Sequence, residues 1–295
     1  MHNGYGLVLA WPKTKVKQVG AWYDALMTFF GFNKNGYYKV GHAALVLIND
    51  KTRSCKYYDF GRYQSPFGYG RIRNKNTDFN LSISTKAKYR NGELQNVKQI
   101  LTELEKKGAT NGFGPTYYSP IRLDVKKAEN YINKQQKIGF ISYGPFVSGG
   151  SNCSRFVSAV LLAGKPKLLQ SLALTFPLSL TPTPLWNLHA TFKPISSLTI
   201  AHTKKSRTQG FPNILSKKAQ WLSGEGAGSW FVLNQEKSGM IRIKRYTVLG
   251  KMECNSLFKS STKLNLKHSY QIIYPSDCSK VSLIQAGQKI QLELA

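Results

Sequence analysis

The sequence predicts an α+β chain: an antiparallel sheet with packed helices, followed by a smaller all-β sandwich or barrel domain. Three observations carry this. As far as residue 165, short apolar runs alternate with segments whose apolar residues recur every three or four positions. The stretch TFPLSLTPTPLWNL, 175–188, then carries three prolines and no helical period. It reads as a connector, or as an extended segment lying along the first domain. From residue 195 only strand patterns remain, separated by turn formers such as Glu-Gly-Ala-Gly and Ser-Gly. The expected domains are therefore 1–170, a connector over 171–194, and a β-rich domain over 195–295.

GYGLVLAW (4–11) reads as a buried strand, and Val16, Val19, Trp22, Leu26 and Phe29/Phe30 give the apolar stripe of a helix over 15–31. YYKVGHAALVLI (37–48) and SCKYYDF (54–60) form a hairpin around NDKTR, and FNLSIST (79–85) is another strand. ELQNVKQILTELEKKG (93–108) is the clearest helix, with acids leading, lysines trailing and Gly108 ending it. TYYSPIRL (116–123) is extended, and a helix over 124–139 follows with Asp124 as N-cap. A last helix opens at Cys153 and stops at Gly164-Lys165-Pro166. SLTIAH, SWFVLNQ, MIRIKRYTVL, KMECNSLF, SYQIIYP, VSLIQAG and QKIQLELA supply the β-rich part.

Charge is the unusual bulk property: 42 Lys and Arg against 14 Asp and Glu, a net charge of +28. Both parts of the chain are basic, so this is no basic tail on a neutral domain. Such a surface attracts nucleic acid, anionic lipid or acidic polymers without sequence preference, and the plainer account is lysine as surface filler. No zinc-finger spacing, RNP-like aromatic pair or phosphate-binding loop is present. No apolar run reaches membrane-spanning length, and the start lacks a basic leader region, so the expectation is a cytoplasmic protein, or an exported one whose leader has been removed.

The four cysteines, 55, 153, 254 and 278, include no CxxC and no Cys/His cluster, so neither a metal nor an organic cofactor is expected. Cys254 and Cys278 lie in neighbouring predicted strands, but free thiols are the expectation. In YGPFVSGGSNCSRFVSAVLLAG (143–164), Cys153 stands in the first turn of an apolar helix. Free N–H groups and the helix dipole there favour a thiolate and offer half of an oxyanion hole. A buried structural cysteine is the rival reading. His42 heads the apolar strand GHAALVLIND. If the turn is 49–52, opposite residues sum to 101 and His42 faces Asp59, which would orient the imidazole. Tyr57 and Tyr58 are weaker candidates on that strand. Histidines at 2, 189, 202 and 268 do not head such a strand.

These residues carry a resemblance. YGPFVSGGSNCSRFV resembles the motif of the NlpC-type papain-like cysteine peptidases: a Tyr, a Gly-Gly turn, then Asp-Cys-Ser-Gly-Phe-Val at a helix start. GHAALVLIND resembles that superfamily's Gly-His-Val-Gly-Ile-Tyr-Leu strand, and YYDF stands where it places its third polar residue. His42 and Asp59 precede Cys153, an order similar to the circularly permuted branch that includes lecithin:retinol acyltransferase-like proteins. The resemblance covers residues 1–165; Asn152 replaces the usual Asp and Arg155 the usual Gly.

The resemblance implies a permuted papain-like domain with a Cys153-His42-Asp59 triad. The activity it implies is that of a cysteine hydrolase (peptidase or amidase) or acyltransferase acting on an amide or ester. The substrates it implies are peptide or cell-wall amides, or acyl lipids. Tyr143 matches the tyrosine that borders such sites. Arg155, Arg62, Arg71 and Arg73 are candidate substrate-binding residues able to hold a carboxylate or phosphate. The rival is a catalytically inactive papain-like binding module whose basic surface holds an anionic polymer or partner.

Overall fold

A computed structural model describes residues 2–17, 23–29, 31, 33–34, 37–38, 40–63, 65, 68–78, 81–106, 108–110, 112–200, 219–222, 229–236, 239–246, 252–260, 262, 264–274 and 280–295. The chain divides into two compact units, one of Met1–Gly61 with Phe67–Ala201 and one of Arg62–Pro66 with His202–Ala295.

The first unit is built on a seven-stranded antiparallel sheet. Its order is Ile141–Ser142, Tyr69–Arg73, Cys55–Gly61, His42–Asn49, Gly4–Trp11, Thr116–Leu123, Ser196–Leu198. Helices cover both faces. On one face Val125–Ile138, Cys153–Ala163, Leu168–Thr175 and Pro184–His189 pack against Val8, Ala43, Leu45, Leu47 and Phe60. On the other, Val97–Lys106 sets Ile100, Leu101 and Leu104 against Leu7, Leu9, Val46 and Ile48. Two-sided burial is why the central strands read as unbroken apolar runs rather than alternating ones. Each fully buried Leu or Ile there contributes ~1.5–3 kcal/mol.

Local chemistry sets the boundaries. Asp124 caps its helix by accepting from the Lys127 N–H at 3.1 Å, and Gly139, at φ 81°, ends it. The predicted 93–108 helix begins only at Val97, because Glu93–Leu94 pairs with Tyr89–Arg90. The turn between them, Asn91-Gly92, has φ of 51° and 77°, the positive values a tight hairpin needs.

Four expectations are corrected here. Among the described residues the expected 15–31 helix is present as Asp24–Phe29, and Val16–Lys17 instead pairs with Tyr37–Tyr38; Val19, Trp22 and Phe30 lie outside the described residues. Residues 81–85 form no strand: the N–H groups of Ser84 and Thr85 bond the Glu103 carboxylate instead. The 175–188 stretch is no plain connector. Thr183 accepts from the Trp186 N–H at 3.0 Å, Pro184 occupies the first helical turn, and Pro184–His189 buries Leu188 in the first core. Ser196–Leu198, expected in the β-rich domain, instead extends the first sheet beside Thr116–Tyr118.

The second unit is one seven-stranded antiparallel sheet. Its order is Gln220–Leu222, Ser229–Gln235, Ile241–Tyr246, Met252–Ser260, Gln288–Leu294, Lys280–Gln285, Gln271–Tyr274. Strict alternation, buried then half-buried along Ile241–Tyr246, lines a core of Phe231, Ile243, Phe258, Leu283 and Leu292. Its two edges meet at Gln220, whose amide donates to Tyr270 O at 2.7 Å and accepts from the Ile272 N–H at 3.4 Å. The sheet thus curls toward a barrel, and the chain as a whole is α+β. Cys254 is disulfide-bonded, which corrects the expectation of free thiols there; Cys278 lies outside the described residues. Among the described residues no helix is long and apolar enough to cross a membrane.

Candidate active site

Cys153 sits at the start of its helix because Asn152, at φ −136°, breaks the helical path. The Asn152 side chain also accepts from the Arg155 N–H at 2.8 Å. The approach is fixed from below: the Ser151 N–H bonds Ser142 O at 2.9 Å and the Gly144 N–H bonds Ser151 O at 2.9 Å. The helix is then clamped by Asn187, fully buried. Its Nδ2 donates to Ser154 O at 3.0 Å, and its Oδ1 accepts from Ser158 Oγ at 2.8 Å.

His42 stands one residue after Gly41, whose φ of 76° turns the chain into the strand. A side chain at 41 would press on Trp11 O and Pro12 Cα, both at 3.1 Å. The imidazole stacks on the Trp11 indole, with centroids 5.6 Å apart and planes at 22°. That indole is itself pinned, donating from Nε1 to Thr116 Oγ1 at 2.8 Å, while the Thr116 hydroxyl donates to Glu105 Oε1 at 3.0 Å.

The hairpin register differs from the expected one. Ala44, not His42, lies opposite Asp59, so facing residues sum to 103. The turn is wider than 49–52: the Asn49 N–H bonds Ser54 O, and Arg53 takes a left-handed φ of 56°. A slip of two keeps the side-chain face, so His42 and Asp59 meet diagonally, with Nε2 to Oδ2 at 3.4 Å. The imidazole is also hydrogen bonded to the Cys153 sulfur.

All three groups are deeply buried, Cys153 at 6% exposed, His42 at 4% and Asp59 at 0%. Burial alone would strip their charges, but their contacts reverse it. For His42, burial pulls the pKa down, while hydrogen bonds and charge from Asp59 and Cys153 raise it to about 9. For Cys153, burial pushes the thiol up, and the His42 hydrogen bond and charge, with the Ala43 N–H, hold it below its ordinary value. For Asp59, burial works against ionisation, and the Arg73 guanidinium, then His42, keep the carboxyl well below the usual range.

The expected substrate-binding residues fare differently. Arg73 is fully buried and grips Asp59 with both arms, Nε to Oδ1 at 3.0 Å and Nη2 to Oδ2 at 2.6 Å. Arg71 grips Asp78 in the same way, at 2.7 and 3.0 Å. Both are corrected from anion binders to internal ion pairs, because each has a buried carboxylate within reach. Arg155 donates from Nη1 to Pro145 O at 3.0 Å and so braces the 143–152 loop. Tyr143 stacks on Phe60 at 5.9 Å. Arg62 is half-buried and falls in the second compact unit. Tyr57 donates its hydroxyl to Asp59 Oδ2 at 2.8 Å, whereas Tyr58 packs in the core. His189 and His268 are exposed, His2 bonds Lys165 O, and His202 lies outside the described residues. Among the described residues no cluster of His, Cys, Asp or Glu is arranged to hold a metal.

Sequence reasoning missed Trp11, Asn187 and the role of Arg73. Trp11 had a signal, a large aromatic closing the first strand; Asn187 had none, since it lies in the proline-rich stretch.

No curated protein matches the chain. The crystal structure of a type VI secretion system effector, TseH, is similar over 67% of this chain and 93% of that one, at 15% identity and a TM-score of 0.45. Residues 219–295 match the DUF6695 C-terminal domain. The chain belongs to the type VI secretion system effector TseH-like family, whose model matches residues 6–168, more than half of its length.

Proposed function

We propose that the chain is an effector whose first unit is a papain-like cysteine hydrolase, of permuted order, acting on an amide or ester bond. The observation that carries the reading is His42, bonded to both the Asp59 carboxylate and the Cys153 sulfur, with that sulfur at a helix start. Cys153 Sγ attacks the carbonyl carbon, and the C=O electron pair moves onto oxygen, where helix N–H groups stabilise it. His42 passes its proton to the leaving amine or alcohol, and the acyl group stays on sulfur as a thioester. Water, deprotonated by His42, then releases the acid; an acceptor nucleophile in its place would make the reaction an acyl transfer. Asp59 holds the imidazole in place, and Arg73 and Tyr57 hold Asp59. Peptide or cell-wall amides are the substrate class of this reading, and acyl lipid its variant.

A second reading, an inactive binding module, draws on the near-complete burial of Cys153 and His42. Alkylation separates the two. The thiol should react with iodoacetamide at pH 6–7 in wild type and lose that reactivity in His42→Ala. Cys55 serves as internal control, since burial pushes its thiol up to about 11. An unreactive Cys153, or one indifferent to His42, would sink the catalytic reading.

A further inference from the structure

The segment after the cysteine helix leaves much of its apolar surface in water. Leu168–Thr175 turns Gln170 and Leu174 inward and exposes Leu168, Leu169 and Leu172. Phe176 follows, and the loop beyond it lifts Leu178 and Leu180 to 89% and 94% exposure. These two are the most exposed large apolar side chains among the described residues.

This tip is built, not slack. Trp186 Nε1 donates to Ala173 O at 2.9 Å, tying the helix after the loop to the helix before it. Ser179 Oγ donates to Thr181 O at 2.7 Å within the loop, and Gln170 Nε2 donates to Thr191 O at 2.6 Å beneath it. A braced loop that holds two leucines almost fully in solvent can set both into a lipid surface without first rearranging.

Charge selects the occupant. No Asp or Glu stands anywhere between Glu129 and Glu225, and exposed Lys165, Lys167 and Lys193 flank the apolar segment. A second copy, itself at +28, would meet this face with like charge. An anionic bilayer meets it with opposite charge and takes up the leucines in its acyl region.

We propose that residues 168–193 form a membrane-docking surface for anionic phospholipid, in which Leu178 and Leu180 insert and the flanking lysines contact headgroups. The inference does not depend on the chemistry of Cys153.

The test is flotation of the full chain with vesicles of phosphatidylcholine mixed with phosphatidylglycerol. A variant carrying Leu178→Ser and Leu180→Ser removes two side chains that nothing in the fold needs; circular dichroism checks that it folds. Wild type should float with the mixed vesicles and not with pure phosphatidylcholine. The variant should bind at least ~10-fold more weakly, as expected when inserted apolar groups are lost. High salt should weaken wild-type binding further. Absence of flotation, or equal flotation of variant and wild type, overturns the proposal, the latter reducing it to charge adsorption. So does a wild-type dimer that the variant dissolves, since the face would then be an interface between copies.

Discussion

Replacing Arg73 with methionine tests whether Asp59 is held by two cations at once. Arg73 lies directly across from Asp59 in the sheet, and both side chains are 0% exposed. Its two bonds, 3.0 and 2.6 Å, meet both carboxylate oxygens, while Oδ2 also takes Tyr57 at 2.8 Å and faces His42 at 3.4 Å. Methionine fills much of the volume but leaves a buried carboxylate short of one partner. Breaking such a pair from one side costs ~3–5 kcal/mol. With a urea dependence of ~2 kcal/mol per molar, the midpoint for the first unit should fall by ~2 M. Adding Asp59→Asn removes the uncompensated charge, so the double variant should recover ~1–3 kcal/mol relative to additivity. Arg73→Lys keeps the charge without the fork and should lie between wild type and Arg73→Met. The assay is urea denaturation at pH 7, followed by fluorescence and by amide exchange in the central strands. A loss below about 1 kcal/mol for Arg73→Met, or no coupling with Asp59→Asn, refutes the reasoning.

The two members of the His42–Cys153 pair should contribute stability with opposite pH dependence. His42, raised to about 9, contributes fully below 6.5 and loses its share as pH rises to 9. Cys153, lowered, contributes fully above its unfolded value and loses its share as pH falls. Above the ordinary thiol value of about 8.5 only the His42 share still changes, so the difference in urea midpoint between wild type and His42→Ala/Cys153→Ala should fall as pH rises toward 9; no fall there would contradict the pairing. Gly41→Ala should cost ~1–3 kcal/mol, because its φ of 76° is left-handed and its Cβ would press on backbone atoms at 3.1 Å; a thermal scan that shows no loss would contradict the contact. Asn152→Ala should cost ~1 kcal/mol by removing the cap. Asn152→Asp should keep the cap but set a carboxylate beside the sulfur, and so slow alkylation at pH 7 by raising the thiol pKa.

Much of this site can be read from local pattern, and the rest cannot for physical reasons. The strand 116–123 and the helix starts at Asp124 and Cys153 follow from period and local turn chemistry. The His42–Asp59 meeting survived a wrong turn assignment only because the slip was two residues; a slip of one would have put Asp59 on the opposite face. The left-handed φ at Arg53 that widened the turn has no glycine to announce it. The pairing of Arg73 with Asp59 and of Arg71 with Asp78 depends on which side chains the sheet brings face to face, and composition alone made them look like free cations. The Thr183-Pro184 signal for a helix start was present, but three prolines obscured it.

Charge at the site is self-contained, and this separates the chemistry from the basic surface. Arg73, Asp59, His42 and Cys153 form one chain of contacts, in which the guanidinium favours the carboxylate, the carboxylate favours the imidazolium, and the imidazolium favours ionisation of the thiol. Arg71 is matched by Asp78 in the same interior. The groups that lower the Cys153 thiol are thus its own neighbours, His42 first, rather than the surface that carries the +28 surplus. Groups in contact inside the protein are screened little by salt, whereas surface charges lose their reach beyond ~10 Å at ordinary ionic strength. The pH midpoint of Cys153 alkylation should accordingly stay within about 0.3 units between low and high salt. Adsorption of the same protein to an anionic surface should fall steeply over that range. A midpoint that climbs with salt would mean that distant surface lysines, rather than His42, lower the thiol pKa, and the four-charge account of the site would be wrong.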